Sequence, residues 1–320
     1  MNKNCIIITT INEKNESLEK FSNISGYDLI IVGDVKSPKY YDLDCTYLDL
    51  SEQNKLFPTL SKLLPINHYS RKNLGYLYAA NKGYVVIGES DDDNIPYNNW
   101  NIEPCTNNVV TSEDCEINIY GLYTTKKIWP RGYNIEKINS VDSIKIRSDL
   151  KKVAVWQSLV DGDPDVDAIY RLTTIADDNF MFDKNGAFVL DTNIFTPFNT
   201  QNTKWVEPSF FSYMYLPCFV NFRFTDILRS YIAQFTFWGS GYHLGVNEST
   251  VVQVRNAHNY MNDFKDELTM YTTYKLVYNI LKNSTIRDKK DFYDLYTVLS
   301  ENNIIDKREL IVIKEWLNYF

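Results

Sequence analysis

The sequence contains no long apolar run, and its few cysteines show no paired spacing. The apolar run nearest the N-terminus covers only residues 5–8, whereas a membrane span needs ~18 apolar residues. The five cysteines form no CxxC pair, and an odd number scattered over 320 residues is not a disulfide framework. We therefore expect a reduced, cytoplasmic protein without a transmembrane segment.

Positive charge is also scarce. The chain has 33 Lys and Arg against 41 Asp and Glu, which gives a net charge of −8 and a pI of about 5.1. An acidic chain without a basic stripe is poorly suited to bind a phosphate backbone, so we expect no nucleic-acid partner. A few local Lys and Arg side chains can still bind a small anion. The signatures of P-loop, GxGxxG, HExxH and nucleophile-elbow enzymes are absent as well.

The composition is that of a globular protein with an aromatic excess. Apolar residues make up 44% and charged residues 23%, so the chain can bury a core as one large α/β domain with an appendage, or as two modest domains. Aromatic residues make up 15%. Exposed rings are good platforms for sugars, although most aromatic residues belong to the core.

The first 95 residues alternate strand and helix patterns. The predicted strands are residues 5–9, 28–32 and 84–88, and the predicted helices are residues 13–21 and 69–81. Gly83 is expected to end the second helix. This alternation predicts a parallel sheet with right-handed crossovers.

The rest of the chain is mixed and then helical. Residues 109–112, 167–172 and 187–190 are predicted strands, residues 225–238 a predicted helix, and the chain beyond about residue 262 is predicted to be mostly helical. Sheet signals stop near residues 262–285. We therefore expect a catalytic domain over residues 1–275 and a helical C-terminal extension over residues 276–320.

Three adjacent carboxylates follow the third predicted strand. Asp91, Asp92 and Asp93 come at a strand end, where ligands collect in open α/β sheets. Their mutual repulsion calls for a cation, and oxygen ligands suit Mg²⁺ or Mn²⁺. The alternative interpretation is a solvated acidic turn.

Two basic residues stand at the start of the predicted helix 69–81. Helix N-termini carry partial positive charge, so Arg71 and Lys72 there favour a nearby anion such as a diphosphate. Two solvated side chains are the alternative, at a cost of only a few tenths of a kcal/mol.

Several long segments resemble the STELLO-type glycosyltransferase domain. They are residues 9–12, 31–38, 64–76, 91–94, 164–173, 223–231 and 255–258, and the resemblance covers about residues 5–275. It implies a GT-A-like fold, which is an α/β architecture with a mixed, mainly parallel sheet flanked by helices. Because the chain shows no membrane anchor, the Golgi location of the plant proteins is not expected to transfer.

The resemblance also implies a site. Asp91 and Asp93 would bind Mn²⁺ or Mg²⁺ together with His258, and Thr10, Asn12, Asp34, Lys36, Arg71 and Asp92 would bind the nucleotide diphosphate. Asp165 and Asp167 would line the donor-sugar side, or form only a turn that enters a strand. Asp177 and Asp178 have no motif support and are interpreted as a turn. Asp226 would be the base of an inverting transfer, or would only cap its helix or pair with Arg223 or Arg229.

The implied function is transfer of a sugar from a nucleotide diphosphate donor, UDP-linked, to a glycan or lipid-linked acceptor. One rival is a sugar nucleotidyltransferase, but residues 9–14 lack the glycines of its usual loop. Another is an inactive sugar- or nucleotide-binding scaffold. Residues 307–320 have one apolar helical face, which predicts packing on the catalytic domain or, alternatively, docking to a partner or a peripheral membrane contact.

Overall fold

The computed structural model describes residues 3–175, 179–254 and 259–320. The strands are β1 (Asn4–Thr9), β2 (Tyr27–Val32), β3 (Cys45–Leu48), β4 (Val86–Asp91), β5 (Asn94–Pro96), β6 (Asn108–Ser112), β7 (Ile144–Ser148), β8 (Lys152–Asp161), β9 (Phe188–Leu190), β10 (Asn202–Trp205) and β11 (Tyr242–Gln253). The α-helices are α1 (Glu16–Ser22), α2 (Leu50–Leu56), α3 (Leu60–Leu63), α4 (Lys72–Lys82), α5 (Ala168–Thr173), α6 (Thr225–Gly239), α7 (Tyr260–Lys282), α8 (Lys289–Glu301) and α9 (Glu309–Leu317). Short 3₁₀ turns cover Tyr69–Arg71, Ile119–Leu122, Pro208–Met214 and Phe222–Phe224.

The described strands form one mixed sheet in the order β3-β2-β1-β4-β10-β8-β11-β9-β6-β7, with β5 paired to β11. The first four strands of this order are parallel to one another. Strand β10 is antiparallel to both of its neighbours, and β8 and β11 are parallel again. Helices flank this sheet, so the predicted α/β class with a mixed sheet is confirmed.

Helix α4 packs on the parallel part of the sheet through a glycine. A Cβ at Gly75 would lie 2.7 Å from the Ile7 side chain and 2.8 Å from that of Val32, so only glycine allows this close approach to β1 and β2. The helix ends at Gly83, which has a left-handed φ of 76°. Both the helix and its end were predicted from the sequence, and α4 places Lys72 at its first position beside the sheet.

The parallel strands bring three sequence segments to one edge. Thr9, the last residue of β1, is in register with Val32 on one side and Asp91 on the other. The residues that follow these strands therefore begin at the same edge of the sheet, as expected for the carboxyl ends of parallel strands.

The predicted strand 167–172 is wrong, because the segment forms helix α5. Asp167 caps this helix by accepting a hydrogen bond from the Tyr170 backbone N–H at 2.8 Å. Glu267 of α7 accepts another from the Ala168 N–H at 2.7 Å. Capping and a tertiary partner thus outweigh the strand pattern of a short apolar run.

The C-terminal helices pack against the sheet domain. Trp316 of α9 is fully buried, and its indole N–H donates to the Ser212 carbonyl at 2.7 Å. Helix α7 runs without a break through position 275, and the division of the chain there remains a prediction. Within the described ranges, no helix has both the length and the apolar composition needed to cross a bilayer.

Candidate functional site

The acidic turn begins at the end of β4. Asp91 is the last residue of this strand, and its Oδ1 lies 3.2 Å from the Nζ of Lys72. Lys72 is fully buried and also donates to the Ser90 carbonyl at 2.9 Å. Burial raises the pKa of the Asp91 carboxyl, Lys72 opposes the rise, and the Asp93 and Asp92 charges add to it. The lysine therefore partly compensates a crowded group of carboxylates.

The three carboxylates point to different partners. Asp92 Oδ2 accepts hydrogen bonds from the Thr10 hydroxyl and, at 2.8 Å, from Asn12 Nδ2. Asp93 Oδ2 accepts one from Gln253 Nε2, also at 2.8 Å. In the part of the chain that the structure describes, no three His, Cys, Asp or Glu side chains converge as a ready-made metal cluster. Asp91 and Asp93 line one cavity, whereas Asp92 turns towards the end of β1.

An outer cleft of about 290 Å³ is lined by all six residues predicted to bind the nucleotide diphosphate. Thr10, Asn12, Asp34 and Lys36 line it, together with Asp92. The Asp34 carboxylate is fixed in place, because it accepts hydrogen bonds from the backbone N–H groups of Val35 at 2.7 Å and His68 at 3.1 Å. The structure thus brings these side chains together from three different strand ends.

Three aromatic rings form one wall of this cleft. His68 stacks on Tyr69 with ring centroids 5.4 Å apart, and Phe222 packs edge-on against both rings. Burial lowers the pKa of His68 to about 4, so the ring is neutral at physiological pH. Phe222 is 47% exposed. A half-exposed ring in a neutral aromatic wall is suited to stack on a flat ligand such as a nucleobase.

An inner cavity of about 170 Å³ lies on the other side of the acidic turn. Its described lining is entirely polar: Asp91, Asp93, Arg131, Asp165, Asn199, Gln201, Arg223, Asp226 and Gln253. A central cleft of about 270 Å³ shares lining residues with both the inner cavity and the outer cleft, so the three cavities adjoin one another and together are called the groove. Such a cavity offers hydrogen bonds to a group that carries many hydroxyls.

Arg131 is bound by two carboxylates in this cavity. Its Nε and Nη2 donate to Asp165, and its Nη1 and Nη2 donate to Asp226, each at 2.9 Å. Neither of the alternative partners predicted for Asp226 is used. Arg223 instead pairs with Glu267, and Arg229 pairs with Glu89.

Two predicted ligands have other partners. Arg71 borders the outer cleft but is 2% exposed, and its guanidinium donates inward to Gln53 Oε1 and to the Ser61 hydroxyl. Lys72 is therefore the basic residue of this segment that contacts the acidic turn. Asp167 is fully buried, caps α5, accepts from the Trp129 indole at 2.8 Å, and is not among the described residues that line the three cavities.

Three of the predicted residues cannot be placed. His258, with the rest of the 255–258 motif, and the pair Asp177 and Asp178 lie outside the described residues.

The sequence analysis missed Arg131, Tyr69 and Phe222 as site residues. Arg131 stands between Pro130 and Gly132, and this flanking marks a turn where a lone arginine is worth noting. Its two carboxylate partners are 34 and 95 residues away along the chain. No local pattern connects positions that are so distant.

Comparison with known proteins gives a consistent result. A family model described as STELLO glycosyltransferases matches residues 223–319. Among curated proteins, "Probable glycosyltransferase STELLO2" from Arabidopsis thaliana is 24% identical over 343 residues, which cover 98% of this chain and 44% of that protein. "Probable glycosyltransferase STELLO1" from the same plant is 25% identical over 267 residues, with 77% and 34% covered. The chain thus spans less than half the length of these curated relatives.

Proposed function

We propose that this chain, which is similar to the STELLO glycosyltransferases, transfers a sugar from a nucleotide diphosphate donor, UDP-linked, to a glycan or lipid-linked acceptor. The observation that carries the proposal is the groove of adjoining cavities on both sides of the acidic turn. Its outer cleft has an aromatic wall suited to a nucleobase, and its inner cavity has a wholly polar described lining suited to a sugar. The acidic turn lies between the two, where a diphosphate would join them.

The residues at the turn fit a divalent cation that the donor helps to bind. Asp91 and Asp93 offer carboxylate oxygens to the same cavity, and Mg²⁺ is commonly held by one or two carboxylates together with substrate phosphates. A site of this kind does not require three protein ligands to be in place before the donor binds. When bound, Mn²⁺ or Mg²⁺ would neutralise charge on the leaving diphosphate.

Side chains of this protein would bind the donor and activate the acceptor. Thr10, Asn12 and Asp34 would orient the nucleoside, with Lys36 at the rim of the outer cleft. Lys72 would hold the Asp91 carboxylate in place through its contact at 3.2 Å. Asp165 would bind hydroxyls of the donor sugar, and Asp226 would accept the proton of the attacking acceptor hydroxyl in an inverting transfer.

Titration calorimetry with Mn²⁺ and UDP, added singly and together, tests donor binding. We expect UDP to bind much more tightly with Mn²⁺ present, since the diphosphate supplies part of the metal's ligands. Release of UDP from UDP-glucose, UDP-galactose and UDP-N-acetylglucosamine, with and without EDTA, then tests turnover. Joint binding without UDP release from any sugar would favour the inactive scaffold. Independent binding of the two, or none, would contradict the proposal.

A further inference from the structure

The guanidinium of Arg131 uses all of its hydrogen-bond donors on the protein itself. Arginine has five N–H groups. Four of them donate to Asp165 and Asp226 at 2.9 Å, and the fifth, on Nη1, donates to the Arg223 carbonyl. The side chains of Arg131, Asp165 and Asp226 are 8%, 13% and 5% exposed. Arg131 therefore lines the cavity but has no N–H left for a ligand.

We infer that Arg131 is a positioning residue that fixes Asp165 and Asp226 on one wall of the sugar cavity and acts on the reaction only through them. This inference rests on the proposed transfer function. The three residues come from separate segments: the loop between β6 and β7, the turn after β8, and the first turn of α6. One planar guanidinium thus sets the relative position of two carboxylates that no shared element holds together.

The arrangement leaves acceptor capacity on both carboxylates. Asp226 Oδ2 and Asp165 Oδ1 each accept a single hydrogen bond among the described contacts, in both cases from Arg131. A carboxylate oxygen can accept a second, so each atom can still receive one from a hydroxyl in the cavity. Arg131 thereby determines the direction of the remaining lone pairs.

The loop that carries Arg131 is itself held rigidly. The Arg131 N–H donates to the Asp165 carbonyl at 3.0 Å, and the Tyr231 hydroxyl of α6 donates to the Gly132 carbonyl. Gly132 has φ +90°, and a Cβ there would lie 2.5 Å from Ile227 Cγ2. Only glycine fits at this position, so the loop docks on α6, whose first turn carries Asp226.

Charge supports the same role. Burial raises the pKa of Asp165, but Arg131 and its hydrogen bonds hold that pKa well below the ordinary value. Two buried carboxylates so close together would repel one another without the intervening cation. Arg131 thus keeps an anionic pair in a cavity whose described lining contains two further carboxylates, Asp91 and Asp93.

The test compares Arg131→Lys with a matched control, Arg171→Lys. Lysine keeps the charge but, as a compact ammonium, cannot bind both carboxylates in the bidentate manner. Arg171 is 9% exposed and pairs with Asp163 at 2.5 Å, so it is similarly buried and paired, but it lies outside the groove. We expect Arg131→Lys to lower UDP-sugar turnover ~100-fold while the affinity for Mn²⁺ and UDP changes little, because misplacement of a reacting group costs this much. Arg171→Lys should leave both quantities nearly unchanged.

Two other outcomes distinguish a failure of the proposed function from a failure of the inference about Arg131. Wild-type protein without joint Mn²⁺ and UDP binding would overturn the proposed function. Active wild type with an Arg131→Lys variant that keeps more than about a third of its turnover would overturn this inference alone. If Arg131→Lys fails to fold, Arg131→Gln combined with Asp165→Asn keeps the net charge of the cluster. That double variant should fold and bind UDP but turn over slowly, and normal turnover in it would also contradict a positioning role.

Discussion

Arg229 of α6 and Glu89 of β4 form an ion pair that solvent does not reach, with Nη1 and Oε1 2.6 Å apart and the side chains 1% and 0% exposed. A second bond joins Nη2 to Oε2 at 3.0 Å. Glu89 stands two residues before Asp91, and Arg229 stands three residues after Asp226. The pair therefore links the strand that ends at the candidate metal ligand Asp91 to the helix that carries the candidate base.

Replacement of Glu89 by Gln should lower the free energy of unfolding by about 3–5 kcal/mol, since it leaves the Arg229 charge buried and uncompensated. Chemical denaturation monitored by Trp fluorescence measures the change. The exposed pair of Lys290 and Asp294 gives the control, because Asp294→Asn should cost less than about 1 kcal/mol. Equal small effects of the two replacements would contradict a structural role for the buried pair.

Asp93→Asn should weaken Mn²⁺ binding in the presence of UDP by ~100-fold or more. Replacing even a residue that only supports a metal ligand lowers metal affinity ~10–100-fold, and Asp93 is a candidate ligand itself. The matched control is Asp92→Asn, which removes the same charge from the neighbouring position. Asp92 is bound by Thr10 and Asn12, so its loss should affect the metal less. Electron paramagnetic resonance of Mn²⁺ measures the affinity directly. Full turnover in EDTA would contradict metal dependence altogether.

Local patterns predicted the parallel half of the fold because its strands and helices are short periodic segments with clear ends. β1, β2, α4 and the Gly83 terminus all follow from such patterns. The acidic turn was placed for the same reason, since Asp91 comes three residues after the predicted strand 84–88. The sequence analysis did not identify β8, β10 or β11, whose polar residues are buried by partners far away in sequence.

The sequence also did not predict the directions in which the side chains point. A sequence places Arg71 and Lys72 side by side, but only the fold decides that Arg71 turns inward to Gln53 while Lys72 reaches Asp91. Likewise, the pairing of Asp226 with Arg131 depends on the docking of a distant loop. Residue type and strand position predicted where the groove lies, whereas tertiary hydrogen bonds determine which side chains face it.

Stability should depend on pH through Glu116. Burial raises the pKa of this carboxyl from its ordinary value of 4.5 to about 7. Between these values the folded state keeps a proton that the unfolded state has released. The contribution of Glu116 to stability is therefore fully present below about pH 4.5 and is lost as the pH rises through about 7. Glu116→Gln removes this dependence and still accepts from the Asn134 N–H.

Urea unfolding at pH 5 and pH 8 checks this sign. The free energy of unfolding of Glu116→Gln minus that of wild type should increase between pH 5 and pH 8. The increase should be no more than about 3 kcal/mol, at 1.36 kcal/mol per pKa unit. The exposed Glu113→Gln should show no such change with pH. A stability difference that is constant over this range would refute the shift.

The C-terminal extension should be needed for folding because Glu309 forms hydrogen bonds that fix residues 215–219, a segment near the groove. Its buried carboxylate accepts hydrogen bonds from the N–H groups of Cys218 at 3.0 Å and Phe219 at 2.6 Å, and from the Tyr215 hydroxyl. Glu309→Gln replaces one acceptor oxygen by a donor and should cost about 1–3 kcal/mol. The exposed Glu301→Gln is the control.

Deletion of residues 307–320 should have a larger effect than Glu309→Gln. The deletion removes the Glu309 hydrogen bonds and also exposes the apolar surface now covered by Ile313 and Trp316. We expect the truncated protein to be insoluble and the full-length protein not to float with liposomes. A soluble truncated protein together with liposome binding by the full chain would instead support membrane docking of this helix.

Asp226→Asn tests the base of the transfer. A sugar hydroxyl is a weak nucleophile, and a positioned base contributes ~10²–10⁴-fold to the rate. We expect turnover to fall by at least two decades, with little change in the affinity for Mn²⁺ and UDP. A role limited to the start of α6 would leave the rate nearly unchanged, because asparagine satisfies a helix N-terminus as well as aspartate does.

The structure supplies a matched control for this variant. Asp165→Asn also removes one carboxylate from Arg131, so it disturbs the same guanidinium without removing the candidate base. If Asp226 is the base, Asp165→Asn should retain much more turnover than Asp226→Asn. Equal losses in both would contradict a base role for Asp226, because the charge balance around Arg131 or a lost contact of Asp165 with the donor sugar would then account for the lower rate. Proton NMR of the product decides the stereochemistry, and retained anomeric configuration would remove the need for a base at this position.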